Sequence, residues 1–190
     1  VNLAKNSGAD KADSIAIFSS SLSVSQRLGK REDLERAESE NIGLRVFIGK
    51  KQAIVSSTKH AIKKPKELVN SAISMAKVTP EDPFASLAEI DSIATKWPNL
   101  KLLDQYEPSP EDLYSISSKA ENAALSMDKI TNSEGAQASW SKSSISLVTS
   151  EGFSGAYSGS SSALSVSVIA GQDTNMERDY DYSISRFFSK

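Results

Sequence analysis

The segment from Ile130 to Tyr182 is rich in serine and alternates polar with apolar residues over most of its length. Successive side chains of a β-strand point to opposite faces, so this alternation favours strands that bury one face. Gly171-Gln172-Asp173 predicts a turn, after which Met176 to Ile184 can pair back onto the preceding strand. We therefore expect about four antiparallel strands here. Their apolar positions are Ala136, Ala138 and Trp140, then Ile145 and Leu147, then Leu164, Val166, Val168 and Ala170.

The first part of the chain also predicts about four strands. Gly49-Lys50-Lys51 is typical of a hairpin turn, and Gln52 to Ser57 would be the returning strand. Gly29 to Asn41 is strongly charged and fits either a long edge strand or an exposed loop, of which we favour the strand. The apolar positions are Ile15 and Ile17, then Leu22 and Val24, in one long strand or two joined by a bend, then Ile42, Leu44, Val46 and Ile48.

Three helices are expected beside these strands. Leu3 and Ala4, followed by Gly8, resemble the last turn of a helix whose beginning is missing from the chain. Pro65 suits the first position of a second helix, which ends before Pro80. Its apolar stripe comprises Leu68, Val69, Ala72, Ile73 and Ala76.

The third helix has the strongest start signal. Ser109 as N-cap, Pro110 next and Asp112 three residues after the cap resemble a capping box. Its predicted buried face comprises Leu113, Ile116, Ala120, Ala123, Ala124 and Met127.

These elements predict an α+β fold, in which antiparallel β meanders carry helices packed on one face. A helix followed by about four strands occurs twice, which suggests an internal duplication with sub-repeats at residues 1–63 and 109–190. A helix and a connection, residues 64–108, link the two. We expect the connection from Glu81 to Pro108 to pack across a surface. Its available apolar residues are Phe84, Leu87, Ile90, Trp97, Leu100, Leu102 and Leu103.

Composition excludes several classes of protein. The chain has 22 Lys and Arg against 24 Asp and Glu, so no global basic field is available to bind nucleic acid. Apolar runs are too short to span a membrane, and the absence of cysteine fits a reducing compartment, so we expect a cytoplasmic protein. A local basic cluster of Lys59, Lys63, Lys64 and Lys66 fits either a solvated helix entrance or an anionic contact.

Candidate catalytic residues are few. His60 is the single histidine of the chain and no HExxxH pattern surrounds it, whereas a catalytic zinc needs three protein ligands. Gly152-Phe153-Ser154-Gly155 departs from the G-x-S-x-G nucleophile pattern and fits a turn. Phosphate-binding glycine motifs are absent. We therefore predict no catalytic, metal-binding or cofactor-binding residue in this chain and name no peptide-binding residue.

Three further features allow a functional and a structural interpretation. The pairs Glu38 with Glu40 and Asp179 with Asp181 each lie on one strand face. This placement fits either acid/base chemistry or a solvated face, of which we favour the solvated face. The glycines Gly152, Gly155 and Gly159 suggest a flexible loop near a partner or peptide. The aromatic group Tyr180, Tyr182, Phe187 and Phe188 is either core, a surface that packs against sequence beyond this chain, or a partner surface.

Four short phrases carry a family resemblance: EDPFASL at residues 81–87, NSEG at 132–135, GFSG at 152–155 and MERDYDY at 176–182. Together and in this order they resemble the amino-terminal domain of the PmbA (TldE) branch of the TldD/PmbA family, whose older name is modulator of DNA gyrase. This family is metallopeptidase-related. The resemblance implies that residues 1–190 are the amino-terminal domain of a larger cytosolic protein.

The same resemblance implies a function. PmbA (TldE) proteins are understood to form a heterodimer with TldD, which bears the zinc and the HExxxH motif, and the complex degrades small or unfolded peptides. This chain would then belong to the non-catalytic subunit, with zinc only in the TldD-like partner. The alternative is an independent module that binds extended peptides along exposed strand edges, with no peptidase role.

Overall fold

The computed structural model describes residues 1–58 and 63–188. Its helices are α1 (Asn2–Asn6), α2 (Pro65–Val78) and α3 (Pro110–Leu125), and none of these is long and apolar enough to cross a membrane. Its strands are β1 (Lys11–Arg27), β2 (Lys30–Ile48), β3 (Lys51–Thr58), β4 (Ile130–Thr149), β5 (Ser154–Ala170) and β6 (Glu177–Ser185). They form one six-stranded sheet in the order β3-β2-β1-β4-β5-β6. The predicted α+β class is confirmed.

In the part of the chain that the structure describes, each half has a helix followed by three strands, so the expectation of about four strands per half is wrong. Ile15 and Ile17 belong to the same strand as Leu22 and Val24, although the change from odd to even positions places the two pairs on opposite faces. Ile15 is 37% exposed, whereas Leu22 and Val24 are buried. The apolar positions from Ala136 to Leu147 likewise belong to one strand, β4. The charged segment after Gly29 is strand, as expected.

The chain divides into two compact units. Unit 1 comprises Val1–Ser19, Ser39–Leu100 and Ser144–Ser158, and unit 2 comprises Ser20–Glu38, Lys101–Ser143 and Gly159–Lys190. The long strands β1, β2, β4 and β5 contribute residues to both units. The units therefore do not coincide with the sub-repeats 1–63 and 109–190, which remain a prediction about sequence ancestry.

The core of unit 1 lies where α1 and α2 pack on the sheet. The apolar stripe predicted for α2 is buried at all five positions, and Leu44 and Val46 of β2 pack against it. Phe47 points to the opposite face, because neighbouring residues of a strand alternate. There it packs against Ala85 and Leu87 of the connection that follows α2. This part of the connection therefore covers sheet, as predicted.

Most apolar residues of that connection are nevertheless not buried. Phe84 is 90% exposed, and Ile90, Trp97 and Leu100 are all more than half exposed. Leu87 alone of the seven predicted contacts reaches the buried class. The backbone of the connection makes few regular hydrogen bonds of its own, with a single 3₁₀ turn at Ile90–Ser92, so periodicity offers no guide to which side chains turn inward.

The core of unit 2 lies between α3 and its strands. Leu22 and Val24 of β1, Leu113 and Tyr114 of α3, and Trp140 of β4 are all buried in it. The predicted capping box starts the helix: the Ser109 hydroxyl accepts from the Asp112 amide at 3.2 Å, and the Asp112 carboxylate accepts from the Ser109 amide at 2.8 Å. These bonds satisfy amides that the first turn of a helix leaves unpaired.

The buried face of α3 differs from the predicted one. Leu113 is buried as expected, but Ala123 and Met127 are exposed, and Met127 lies beyond the end of the helix. Ser117 and Glu121 take the buried positions one and two turns after Leu113. The prediction was wrong because it assigned polar side chains to solvent, whereas each of these is hydrogen-bonded inside the protein.

Glu121 is fully buried and accepts four hydrogen bonds. Gln26 Nε2 and the Gly29 amide donate to one carboxylate oxygen, both at 3.1 Å. The Leu28 amide and the Ser133 hydroxyl donate to the other, both at 2.7 Å. Burial of the carboxylate raises the pKa of Glu121, but the four donors together outweigh it, so the pKa lies below the ordinary value of 4.5. The carboxylate therefore stays ionised inside the core.

We predict that Glu121→Gln destabilises the protein by about 3 kcal/mol. The amide nitrogen replaces an oxygen that accepts two of the four hydrogen bonds, one of them from a backbone amide that cannot reverse its direction, and hydrogen bonds to a charged acceptor contribute about 1.5–3 kcal/mol each. Denaturant unfolding measures this loss. Glu111→Gln is the matched control, since Glu111 also lies on α3 and pairs with Arg31 of β2, but is 70% exposed. Its effect should stay below about 1 kcal/mol. Equal effects of the two substitutions would contradict the buried network.

We also predict an acid-sensitive contribution to stability. Because folding lowers the pKa of Glu121, its contribution is present above the unfolded value of about 4.5 and is lost as the pH falls through the folded value. The free energy of unfolding should therefore fall more steeply below pH 4.5 in the wild type than in Glu121→Gln. Parallel curves for the two proteins, measured by denaturant unfolding between pH 3 and 7, would contradict this assignment.

The corrected face of α3 gives a third prediction. Leu113→Ala should lower the free energy of unfolding by about 3 kcal/mol, the usual range for a fully buried leucine. Met127→Ala should change it by less than about 0.5 kcal/mol, because Met127 is 65% exposed. A large loss at Met127 would restore the face predicted from periodicity.

Candidate interaction surfaces

The basic residues singled out in the sequence lie only partly within the described structure. His60 and Lys59 fall outside the described residues. Lys63, Lys64 and Lys66 are exposed at the start of α2, where Lys64 forms a salt bridge of 3.3 Å with Glu67. These three lysines match the solvated helix entrance.

The GFSG phrase forms the tight turn between β4 and β5. Gly152 has a φ of +95°, which glycine adopts without strain, and the Phe153 carbonyl accepts from the Thr149 amide at 2.9 Å. Gly155 lies in β5, where a Cβ would come within 2.7 Å of the Phe153 ring. Gly159 also lies in β5. The expected loop from Gly152 to Gly159 is therefore a short turn followed by a strand.

The carboxylate pairs make local hydrogen bonds and ion pairs. Glu38 is exposed and lies 3.6 Å from Arg36. Asp179 Oδ1 accepts from the Tyr180 amide at 2.9 Å, and Asp181 Oδ1 accepts from the Tyr182 amide at 2.8 Å. Each aspartate thus binds the backbone of the residue that follows it, on the exposed strand β6.

The family resemblance implies zinc in a TldD-like partner, and the grouping of possible metal ligands in this chain bears on where such a site could lie. Within residues 1–58 and 63–188, no three His, Asp or Glu side chains are grouped so that they could hold a metal ion. The described donor set therefore does not fit a catalytic zinc, which requires three converging protein ligands.

Unit 1 carries a groove of about 570 Å³. Its lining is mostly small and aliphatic side chains, with two exposed aromatic ones, Phe18 and Tyr157, and one carboxylate, Glu40. The Ser144 and Ser158 hydroxyls lie 2.7 Å apart within it. The lining residues come from four strands, β1, β2, β4 and β5. A mostly apolar groove with a few hydroxyl groups suits an apolar or peptide ligand better than a charged one.

The aromatic group at the end of unit 2 divides into two parts. Phe188 packs against the core of unit 2, its ring centroid 5.6 Å from that of Tyr106, and its amide donates to Asp104 at 2.9 Å. Tyr180 and Tyr182 are each 64% exposed on β6. Phe188 therefore matches the core interpretation, whereas the two exposed tyrosines leave both surface interpretations open.

Ile184 extends the exposed tyrosines into a row. It is 66% exposed and lies two residues after Tyr182, so Tyr180, Tyr182 and Ile184 point to the same face of β6. We call these three residues the β6 row. Sequence reasoning identified the two tyrosines but missed Ile184, although its spacing in the phrase DYDYSIS was a usable signal. It missed the groove of unit 1 altogether, because that lining is assembled from distant strands.

Models of one protein family match two segments of the chain. Residues 13–76 match PmbA/TldA metallopeptidase domain 1, and residues 104–190 match the PmbA/TldA metallopeptidase central domain. The chain is 33% identical over 186 residues to metalloprotease PmbA of Escherichia coli O157:H7, and 33% identical over 191 residues to a PmbA homologue of Haemophilus influenzae. The alignments cover 97% and 100% of this chain but only 41% and 42% of those relatives.

Solved structures show the same fold. A Bacteroides thetaiotaomicron protein described as a modulator of DNA gyrase superposes with a TM-score of 0.88 over 99% of this chain and 44% of its own, at 19% identity. TldE from Thermococcus kodakarensis superposes with a TM-score of 0.81 over 97% of this chain and 42% of its own, also at 19% identity. Sequence and fold thus agree, and this chain belongs to the PmbA (TldE) branch of the TldD/PmbA family of metallopeptidase-related proteins.

Proposed function

We propose that this chain is part of the non-catalytic subunit of a TldD/TldE-type zinc metallopeptidase complex, which acts in the cytoplasm on small or unfolded peptides. In this proposal a TldD-like partner carries the zinc and the catalytic groups. Residues 1–190 form the amino-terminal domain of that subunit and contribute structure and binding surface.

The observation that carries the proposal is the sequence match to PmbA proteins, at 33% identity over 97% of the chain. The donor inventory points the same way, since one histidine and no cysteine in 190 residues offer few of the ligands that zinc prefers. The β6 row supports a protein partner, because aromatic side chains exposed together on one face are typical of interfaces.

The groove of unit 1 favours a second candidate function. Its volume of about 570 Å³ falls in the range of ordinary ligand pockets, and its apolar lining with paired hydroxyls suits a short peptide. An independent peptide-binding module would use this groove without any peptidase partner. The two candidates differ in whether the protein takes part in peptide hydrolysis through a second subunit or only binds peptides.

We predict that the full-length protein hydrolyses unfolded peptides only together with a TldD-like subunit from the same organism. The assay compares each purified subunit with the co-expressed pair, using a casein-derived peptide mixture read by mass spectrometry, and measures zinc in each preparation. Zinc should accompany the TldD-like subunit, and chelation should abolish hydrolysis by the pair. Hydrolysis by the full-length protein alone, with zinc bound in one-to-one ratio, would overturn the non-catalytic assignment. Peptide binding with neither complex formation nor hydrolysis would favour the independent module.

A further inference from the structure

The β6 row lies on the face of the sheet that the core of unit 2 does not use. Tyr180 pairs with Ser167, Tyr182 with Ser165 and Ile184 with Ala163, and paired residues share a face. Leu164, which pairs with Ser183 on the other face, packs against the core. The β6 row therefore stands beside small side chains on the outer face, where its rings remain accessible.

The backbone of β6 is poorly suited to accept another strand. Among the described residues β6 is the last strand of the sheet, so one of its edges faces away from β5. Alternate amides of a strand point to the same side. The amides of Tyr180 and Tyr182 are two residues apart and bind carboxylates of their own strand, which places them on that outer edge. An added strand would have to break these bonds, so recognition at β6 depends on side chains.

Charge defines what those side chains can recognise. Along β6 lie three acidic residues, Glu177, Asp179 and Asp181, against one basic residue, Arg178. The Arg178 guanidinium is already paired with the Glu134 carboxylate at 2.8 Å. Asp179 and Asp181 alternate with Tyr180 and Tyr182 along the strand, so their side chains leave the opposite face of the sheet. Their carboxylates nevertheless bind the outward amides of those tyrosines, so the uncompensated negative charge lies along the outer edge of β6, next to the face that carries the two rings. Lys and Arg side chains satisfy both features, through ion pairs with the aspartates and cation–π contacts with the rings. The sign of the charge disfavours nucleic acid and anionic lipid.

We propose that the β6 row, with Asp179 and Asp181, is a docking surface for a Lys- and Arg-bearing segment of the partner subunit. This inference rests on the proposed function and adds to it the place and chemistry of contact. The tyrosine rings, exposed in this chain, become buried contact area in the complex. The aspartates select a basic partner and set the salt dependence of binding.

The test uses the full-length protein and its TldD-like subunit, with affinity measured by biolayer interferometry at 50 and 300 mM NaCl. Tyr180→Ser with Tyr182→Ser should weaken binding at least about ten-fold, as expected for aromatic hot spots. Asp179→Asn with Asp181→Asn keeps an oxygen for each backbone amide but removes the charge, so binding should weaken at low salt and lose most of its salt dependence.

Matched controls are Phe84→Ser, an aromatic residue that is 90% exposed in unit 1, and Glu32→Gln with Glu35→Gln on the exposed part of β2. Both controls should bind as the wild type does.

A second measurement requires no substitution. Hydroxyl-radical footprinting of the wild-type protein should show protection of Tyr180 and Tyr182 on addition of the partner, with no protection of Phe84. A complex that forms without this protection, and that both β6 variants leave unchanged, would overturn the docking surface while leaving the proposed function intact. Failure of the wild-type proteins to form any complex would overturn the proposed function itself. Protection that rises with the concentration of this protein alone would assign the surface to a second copy and also overturn the inference.

Discussion

The buried carboxylate of Glu121 connects α3 to two other parts of unit 2, the β1–β2 hairpin and the start of β4. Its donors come from the end of β1, from the turn between β1 and β2, and from the start of β4. The turn places Leu28 at a φ of +48° and Gly29 at +72°. A leucine resists that conformation, whereas both turn amides gain a charged acceptor by adopting it. The rotation of α3, the geometry of the β1–β2 hairpin and the position of β4 therefore depend on one ionised side chain.

The buried polar network around Glu121 explains why the buried face of α2 could be predicted from sequence and that of α3 could not. The stripe of α2 could be predicted because its five buried positions are all apolar and follow helical spacing. The face of α3 could not, because Ser117 and Glu121 occupy buried positions that a hydrophobic pattern assigns to solvent. The cost of burying Glu121 is offset by donors that only the tertiary fold brings together. The strand count failed for a different reason: in β1 the apolar positions change face between Ile17 and Leu22 without ending the strand.

The candidate surfaces show the same division between local and tertiary information. The alternation of side chains along a strand suffices to place Tyr180, Tyr182 and Ile184, in the phrase DYDYSIS, on one face. Whether that face is covered cannot be inferred from period alone, and Phe188, only a few residues later, packs into the core. The groove of unit 1 has no local signal, because it is lined by pieces of four strands. Its Ala and Ser residues would each be unremarkable in any exposed strand.

Two exposed stretches of strand, Lys30 to Glu40 of β2 and the whole of β6, are protected from edge-to-edge association in different ways. Within residues 1–58 and 63–188, β3 pairs with β2 over Asn41 to Ile48, and the remaining part of β2, Lys30 to Glu40, is dense in charges of both signs. Such charges disfavour the addition of another strand. β6 instead binds two outward amides with its own aspartates and leaves tyrosine rings uncovered. The Lys30 to Glu40 part of β2 contains no aromatic side chain, whereas protection of the β6 backbone by its own aspartates leaves two tyrosine rings accessible. This difference separates β6 from the Lys30 to Glu40 part of β2, although both are largely solvent-exposed.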